Sequence, residues 1–186
     1  MAVTETSICN SALIKVGAQR ITSLLDDSEQ ARLVKEQYEK NRDALLYAHP
    51  WNFAIKRVAL SADVTPPEFG WGNRFQLPSD VLRVIETDQE PLTWQVEGRY
   101  LMSDASALKI KYISQITDTS KFSSLFSEML ALKIAHDIAY SITQNASLSM
   151  TILQEYEMKL REARSFDAQE SRGDKFYTDT WLNARF

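Results

Sequence analysis

The chain has 186 residues and 21.3 kDa, with 44 % apolar residues and 21 Lys and Arg against 25 Asp and Glu. That suits one globular domain, with or without an appendage, large enough to bury a core without staples. One cysteine and two histidines exclude a disulfide framework, a Cys-rich metal cluster and a multi-His site, and a net charge of −4 argues against a dedicated nucleic-acid binder.

The N-terminal stretch MAVTETSICNSALIKVG has no basic region or long apolar run, so it does not read as a leader peptide. Its apolar positions Ile8, Ala12, Leu13 and Val16 share one face at helical spacing. The spacing predicts a helix over 4–17, capped by Thr4 and closed by Gly17. Cys9, on this stretch, reads as a buried structural thiol, since no histidine near it in sequence would activate it. After the loop QRITSLLDD, Asp27 with Gln30 three residues on matches a capping box. The helix it opens runs over 28–48, with Ala31, Val34, Tyr38, Leu45 and Ala48 as its apolar stripe. His49-Pro50 ends it, because the residue before a proline disfavours the helical region. His49 is expected to meet the last carbonyls of that helix or to pack on Trp51.

From residue 51 the character changes. WNFAIKRVAL is compatible with extended chain, and TPPEFGWGN is a breaker-rich loop. VLRVIET reads as a strand rich in β-branched residues. LTWQVEGRYLMS reads as a hairpin turning at Gly98. In ALKIKYISQI, Leu108, Ile110 and Tyr112 alternate with Lys109 and Lys111, the signature of a half-buried strand. Together, 51–118 predict one small antiparallel sheet.

Helix returns over 121–143, apolar on most sides from Phe122 to Ile142, as befits a helix inside a bundle. Gln144-Asn145 breaks it. Leu148, Ile152, Tyr156, Leu160 and Ala163 then stripe a helix over 147–168. The last residues, SRGDKFYTDTWLNARF, are polar and aromatic without periodicity. The fold class is α+β: a four-helix core with an inserted small antiparallel β-sheet, in one domain over 1–171, and an extended C-terminal tail over 172–186.

Motifs for chemistry are scarce. Gly70 and Gly72 lack the spacing and following helix of a phosphate cradle. His136 beside Asp137 makes no ligand set, since adjacent helical residues point about 100° apart; a hydrogen-bonded core histidine is the plain reading. No serine sits in a strained elbow, and Asp26-Asp27 is explained by capping. No catalytic residue, metal ligand or cofactor is expected.

The residues from Ile8 to Ile55 carry a recognisable pattern. Asn10-Ser11-Ala12-Leu13, Gly17, the Ile21-Ser23-Leu24 loop, Asp27 with Ala31, and Arg42-Asp43 leading to Pro50-Trp51-Asn52-Phe53 resemble the tail tubular protein A family. These are the head-to-tail adaptors of short-tailed bacteriophages. The order of later elements, including YISQITDTSKFSSLFSEMLALKIAHDIAYSIT, is also similar to that family.

The resemblance implies a non-enzymatic virion protein at the tail–capsid junction, assembled in the host bacterial cytoplasm. It would form a ring, typically dodecameric, between the portal protein and the tail nozzle protein. Double-stranded DNA would pass through that ring without specific binding, and no membrane is involved. On this reading Phe176, Tyr177, Trp181, Arg185 and Phe186 are candidate contacts to the portal or a neighbouring subunit, since aromatics and Arg dominate binding hot spots. Trp94, Arg99 and Tyr100 are candidate contacts to the nozzle. The competing readings are a non-enzymatic nucleic-acid or ligand-binding protein of a prophage, which requires a basic face or a deep pocket, and an enzyme, which requires a cleft where His136 or carboxylates converge.

Overall fold

The computed structural model describes residues 3–89 and 93–170. Helix α1 (Glu5–Lys15) starts where Thr4 predicts. The Thr4 hydroxyl accepts the Ser7 N–H at 3.1 Å, and Ser7 Oγ accepts the Thr4 N–H at 2.9 Å, so a serine completes the capping box. Gly17, at φ +72°, reverses the chain, while Ala18 N–H reaches Leu13 O and Gly17 N–H reaches Ile14 O. That is the Schellman closure, which needs a residue tolerant of the left-handed region.

Helix α2 (Glu29–Ala48) is capped by Ser28, which accepts the Ala31 N–H at 3.2 Å. This corrects the expectation of an Asp27 cap. The hydroxyl one position later has the same reach, and Asp27 instead pairs in the open with Arg32 at 2.9 Å. Ala31, Val34, Tyr38 and Leu45 are buried as the stripe predicts. Ala48 is exposed, and Leu46 takes its place in the core.

The β insertion forms two three-stranded antiparallel sheets rather than the single sheet expected. The first pairs β1 (Ile55–Ser61) and β3 (Val81–Thr87) on either side of β6 (Ala107–Ser114). The second pairs β2 (Asn73–Gln76) and β4 (Trp94–Glu97) on either side of β5 (Tyr100–Ser103). An isolated bridge from Ala62 to Phe75 joins the two. Both sheets bury one face on a shared core of Leu60, Phe75, Leu77, Leu101, Leu108 and Ile110. Strand β6 is the partition: Leu108, Ile110 and Tyr112 face that core, while Ile113 faces the helices. The side-chain period of two puts neighbouring residues into different cores.

Helix α3 (Ser124–Thr143) begins three residues later than expected. Asp118 accepts the Ser120 N–H and caps a 3-10 turn over Thr119–Lys121. Phe122 is extended, and Ser123 then accepts the Phe126 N–H at 3.1 Å. Two consecutive short caps hold the chain off the helical path until Ser124. Helix α3 is the axis of the bundle, burying Phe126, Met129, Leu130, Ile134 and Ile138 against α1 and α2. Gln144 takes the left-handed conformation at φ 51°, and Asn145 caps α4 (Ala146–Glu170) through the Leu148 N–H. Along α4 only Ile152 and Ala163 are fully buried; Leu148, Tyr156 and Leu160 are half-buried. One side of α4 lies on α3, where Lys159 pairs with Glu128 (3.5 Å), and Lys15–Glu155 (2.8 Å) links it to α1.

Candidate functional site

The residues that carry the resemblance are fasteners of the helical core. Asn10 reaches across to the loop after α1: its Oδ1 accepts the Ile21 N–H at 2.8 Å and its Nδ2 donates to Ile21 O at 2.9 Å. One side-chain amide thus satisfies both backbone groups of a loop residue, as a strand neighbour would. Arg42, only 4 % exposed, donates Nε to Asp43 at 2.8 Å, and Asp43 also accepts from Gln115 Nε2 at 2.7 Å. That chain ties α2 to the end of β6.

The densest fastener is His49-Pro50-Trp51-Asn52-Phe53. Trp51 is 2 % exposed and its indole N–H donates to Leu45 O at 2.9 Å, serving a carbonyl that the end of α2 leaves open. Its ring meets His49 edge-on at 4.4 Å and Phe126 at 5.6 Å. On the other side stands Asp167 of α4, whose carboxylate accepts the Asn52 N–H at 2.9 Å and faces His49 Nε2 at 3.1 Å. Asn52 Nδ2 donates to Asp167 O at 2.7 Å. The packing of His49 on Trp51 agrees with the sequence; the bond to Asp167, 118 residues away, had no local signal.

Burial lowers the His49 pKa below its ordinary value, against the opposing pull of Asp167. The unfolded chain therefore takes up this proton first, so stability is full above about pH 6.5 and falls as the pH drops through the lower folded value. Carboxyls held low, such as Asp137, lose their contribution only below the usual carboxylate range. The urea midpoint of the native protein is expected to fall between pH 7.5 and 5.5. In His49→Gln that fall is expected to shrink; an unchanged slope would remove His49 as its source.

His136 is half-buried rather than a core residue. Its Nδ1 lies 3.1 Å from Asp137, a contact the sequence argument from adjacent helical directions did not anticipate. The Asp137 carboxylate leans along the helix, and it also accepts from Lys133 Nζ and Asn41 Nδ2, each at 2.9 Å. Burial raises the Asp137 pKa, but these donors outweigh it and hold the carboxyl below its usual range. A carboxylate so fully engaged ties α2 to α3 and is not available as a base.

The candidate nozzle contact divides into unlike parts. Gly98, at φ +60°, and Arg99 form the two-residue turn between Glu97 and Tyr100. Only the first turn residue has positive φ, the demand of a II′ turn and the reason glycine stands there. Trp94 is half-buried against the β core. The Tyr100 ring is covered by the Arg74 guanidinium, 4.7 Å from its centroid, and Asp63 fixes that arginine at 3.0 Å. Arg99 is exposed at the tip, with Val96 beside it on the open side. Of the three expected residues, Arg99 is the one whose side chain is open to a partner.

Sequence reasoning missed the loop between β1 and β2, where Val64 is 98 % and Phe69 86 % exposed. Its far end is pinned by Gly72 N–H on Asp104 at 2.7 Å. A breaker-rich composition marks a loop but does not say which way its apolar side chains turn. Phe176, Tyr177, Trp181, Arg185 and Phe186 lie outside the described residues.

A basic column of Arg57, Lys109 and Lys111 crosses the first sheet, as a nucleic-acid face would require. Glu86 meets Lys111 at 3.0 Å and Asp88 meets Lys109 at 3.7 Å, so Arg57 alone has no ion pair among the described residues. Cys9 is buried, and burial with Glu5 nearby pushes its thiol up to about 12. No group of three or more His, Cys, Asp or Glu among the described residues is placed to hold a metal ion, and no described helix is long and apolar enough to cross a membrane. Comparison with models of known protein families and with curated proteins gave no match.

Proposed function

We propose that the chain is a structural adaptor of a bacteriophage virion, forming a ring between the portal and the tail nozzle around the DNA exit channel. The observation that carries this reading is where the family pattern falls. Asn10, Gly17, Arg42-Asp43 and Trp51-Asn52 fasten helices to one another and to the sheet. A scaffold whose work is done by its outer faces needs such fasteners and no reaction centre.

The outer faces support ring contact. Helix α4 leaves Met150 and Met158 exposed, about 80° apart around its axis. The open face of α2 presents Arg32, Lys35, Glu36 and Glu39, with both signs mixed. Exposed methionines on α4 and mixed charge on α2 suit a heterologous side-by-side contact, which closes into a ring at a fixed rotation. Twelve copies is the number the resemblance proposes. The nozzle meets the hairpin tip at Arg99, and the portal or a neighbouring subunit meets the aromatic tail. A net charge of −4 suits a wall that duplex DNA must pass, because a clustered basic lumen would hold the phosphates.

Mixing the protein with the portal and imaging by electron microscopy tests this directly. A ring on the portal is expected, and Met158→Lys is expected to reduce ring occupancy at least tenfold while the monomer keeps its helical content. A charge forced into an apolar contact costs several kcal/mol, which sets that scale. No ring on any portal offered would sink the reading.

A further inference from the structure

A cleft of about 310 Å³ opens where α4 ends. Its walls are Phe53, Phe122, Leu125 and Phe166, and Trp51 lies at its base. Phe166 is half exposed there, although it stands one turn from the end of the helix beside the buried aromatic cluster. Lys121 sits on the rim with no ion pair among the described residues. Glu170, also on the rim, is the last described residue, and sixteen more follow it.

We infer that this cleft is the seat of the chain's own segment around Phe176 and Tyr177. Its reach and its sequence point to that occupant. The segment starts on the rim, so Phe176 is six residues away, a reach of up to about 20 Å in extended chain. To return to Phe166 it must double back by only about 6 Å, one turn of helix, and Gly173 lies between as the residue best suited to a reversal. The rim carries both signs, Lys121 with Asp167 and Glu170, and so does the segment, with Arg172 and Lys175 beside Asp174 and Asp179. A tether this short holds the segment at roughly millimolar effective concentration, so even a modest aromatic contact fills the cleft.

The inference does not rest on the ring reading. It does add a condition to it: in the free chain these aromatics are stored against their own bundle, and a portal that uses them must compete with the cleft.

The buried, high-pKa Cys9 leaves a new surface cysteine as the one site for a thiol-directed label. A nitroxide on Thr178→Cys of the full chain is expected to erase amide NMR signals of residues 121–125 and 163–170 and to spare those of the hairpin at 94–103. Adding Phe176→Ser and Tyr177→Ser should weaken the loss at residues 121–125, across the cleft from the tether, while residues 163–170 beside the tether keep part of it. A second sample mixes spin-labelled chain at natural isotope abundance with ¹⁵N chain bearing no label, at the same total concentration. No loss of signal is expected there. Loss in the mixture would assign the cleft to a second copy and overturn the inference. So would an absence of loss in both samples, or loss at residues 121–125 that the double substitution leaves unchanged. Ring formation on the portal is read separately, so failure of either proposal is visible without the other.

Discussion

Trp51→Ala is expected to bring the protein close to unfolding at room temperature. Replacing a buried tryptophan by alanine costs about 3–5 kcal/mol in lost transfer energy and cavity. Here the ring also closes the end of α2, and Leu45 O would lose its donor, adding about 1–3 kcal/mol if water does not reach it. Stabilities of single domains run from about 5 to 15 kcal/mol, so this one side chain takes a large share. With a urea slope of about 2 kcal/mol/M, the midpoint should drop by about 2 M or more. Trp51→Phe keeps an aromatic ring against His49 and Phe126 but removes the N–H and part of the ring volume, so its loss should fall between the hydrogen-bond part and the whole. A loss under about 1 kcal/mol for Trp51→Ala would mean the cluster repacks freely, and that Trp51 is not the anchor.

Local signals were legible wherever a short stretch decides its own conformation. Thr4, Gly17 and Gly98 mark a cap, a reversal and a turn, and each stands where its backbone role requires. Asp27 and Ser28 show the limit: two good caps stood side by side, and spacing alone does not choose between them. The alternation in β6 was plain, yet it could not reveal that its two faces serve two cores. That depends on which strands lie beside it, and strand pairing is set by contacts far apart in sequence. The same holds for the candidate site. Arg74 and Tyr100 are 26 positions apart and meet only because β2 pairs with β5. His49 and Asp167 meet only because α4 folds back along α3. The exposed Phe69 and Val64 escaped notice because a breaker-rich stretch marks a loop without fixing which way its apolar side chains turn.

Phe75→Ala is expected to loosen the two sheets while leaving the helices in place. Phe75 is fully buried in the β core, among Leu60, Leu77, Leu101 and Leu108. That core holds few large side chains, whereas the helical core runs from Ile8 to Ala163. Losing the ring costs about 3–5 kcal/mol at either place, but in the smaller core it removes a larger part of what holds the strands. Opening is local where local stability is low. Hydrogen exchange should therefore accelerate by about 10²- to 10³-fold at the amides of β2 and β5, with α1 and the centre of α3 unchanged. Strand β6 should fall between, because Ile113 stays locked on the helical side when Leu108 and Ile110 lose their neighbour. Equal acceleration in α3 would show that the two cores open as one unit. A β unit able to loosen alone lets the hairpin tip at Arg99 move while the bundle stays fixed. The rigidity of the bundle then rests on the fasteners at Asn10, Arg42 and Trp51, and the adaptability on a core built around one phenylalanine.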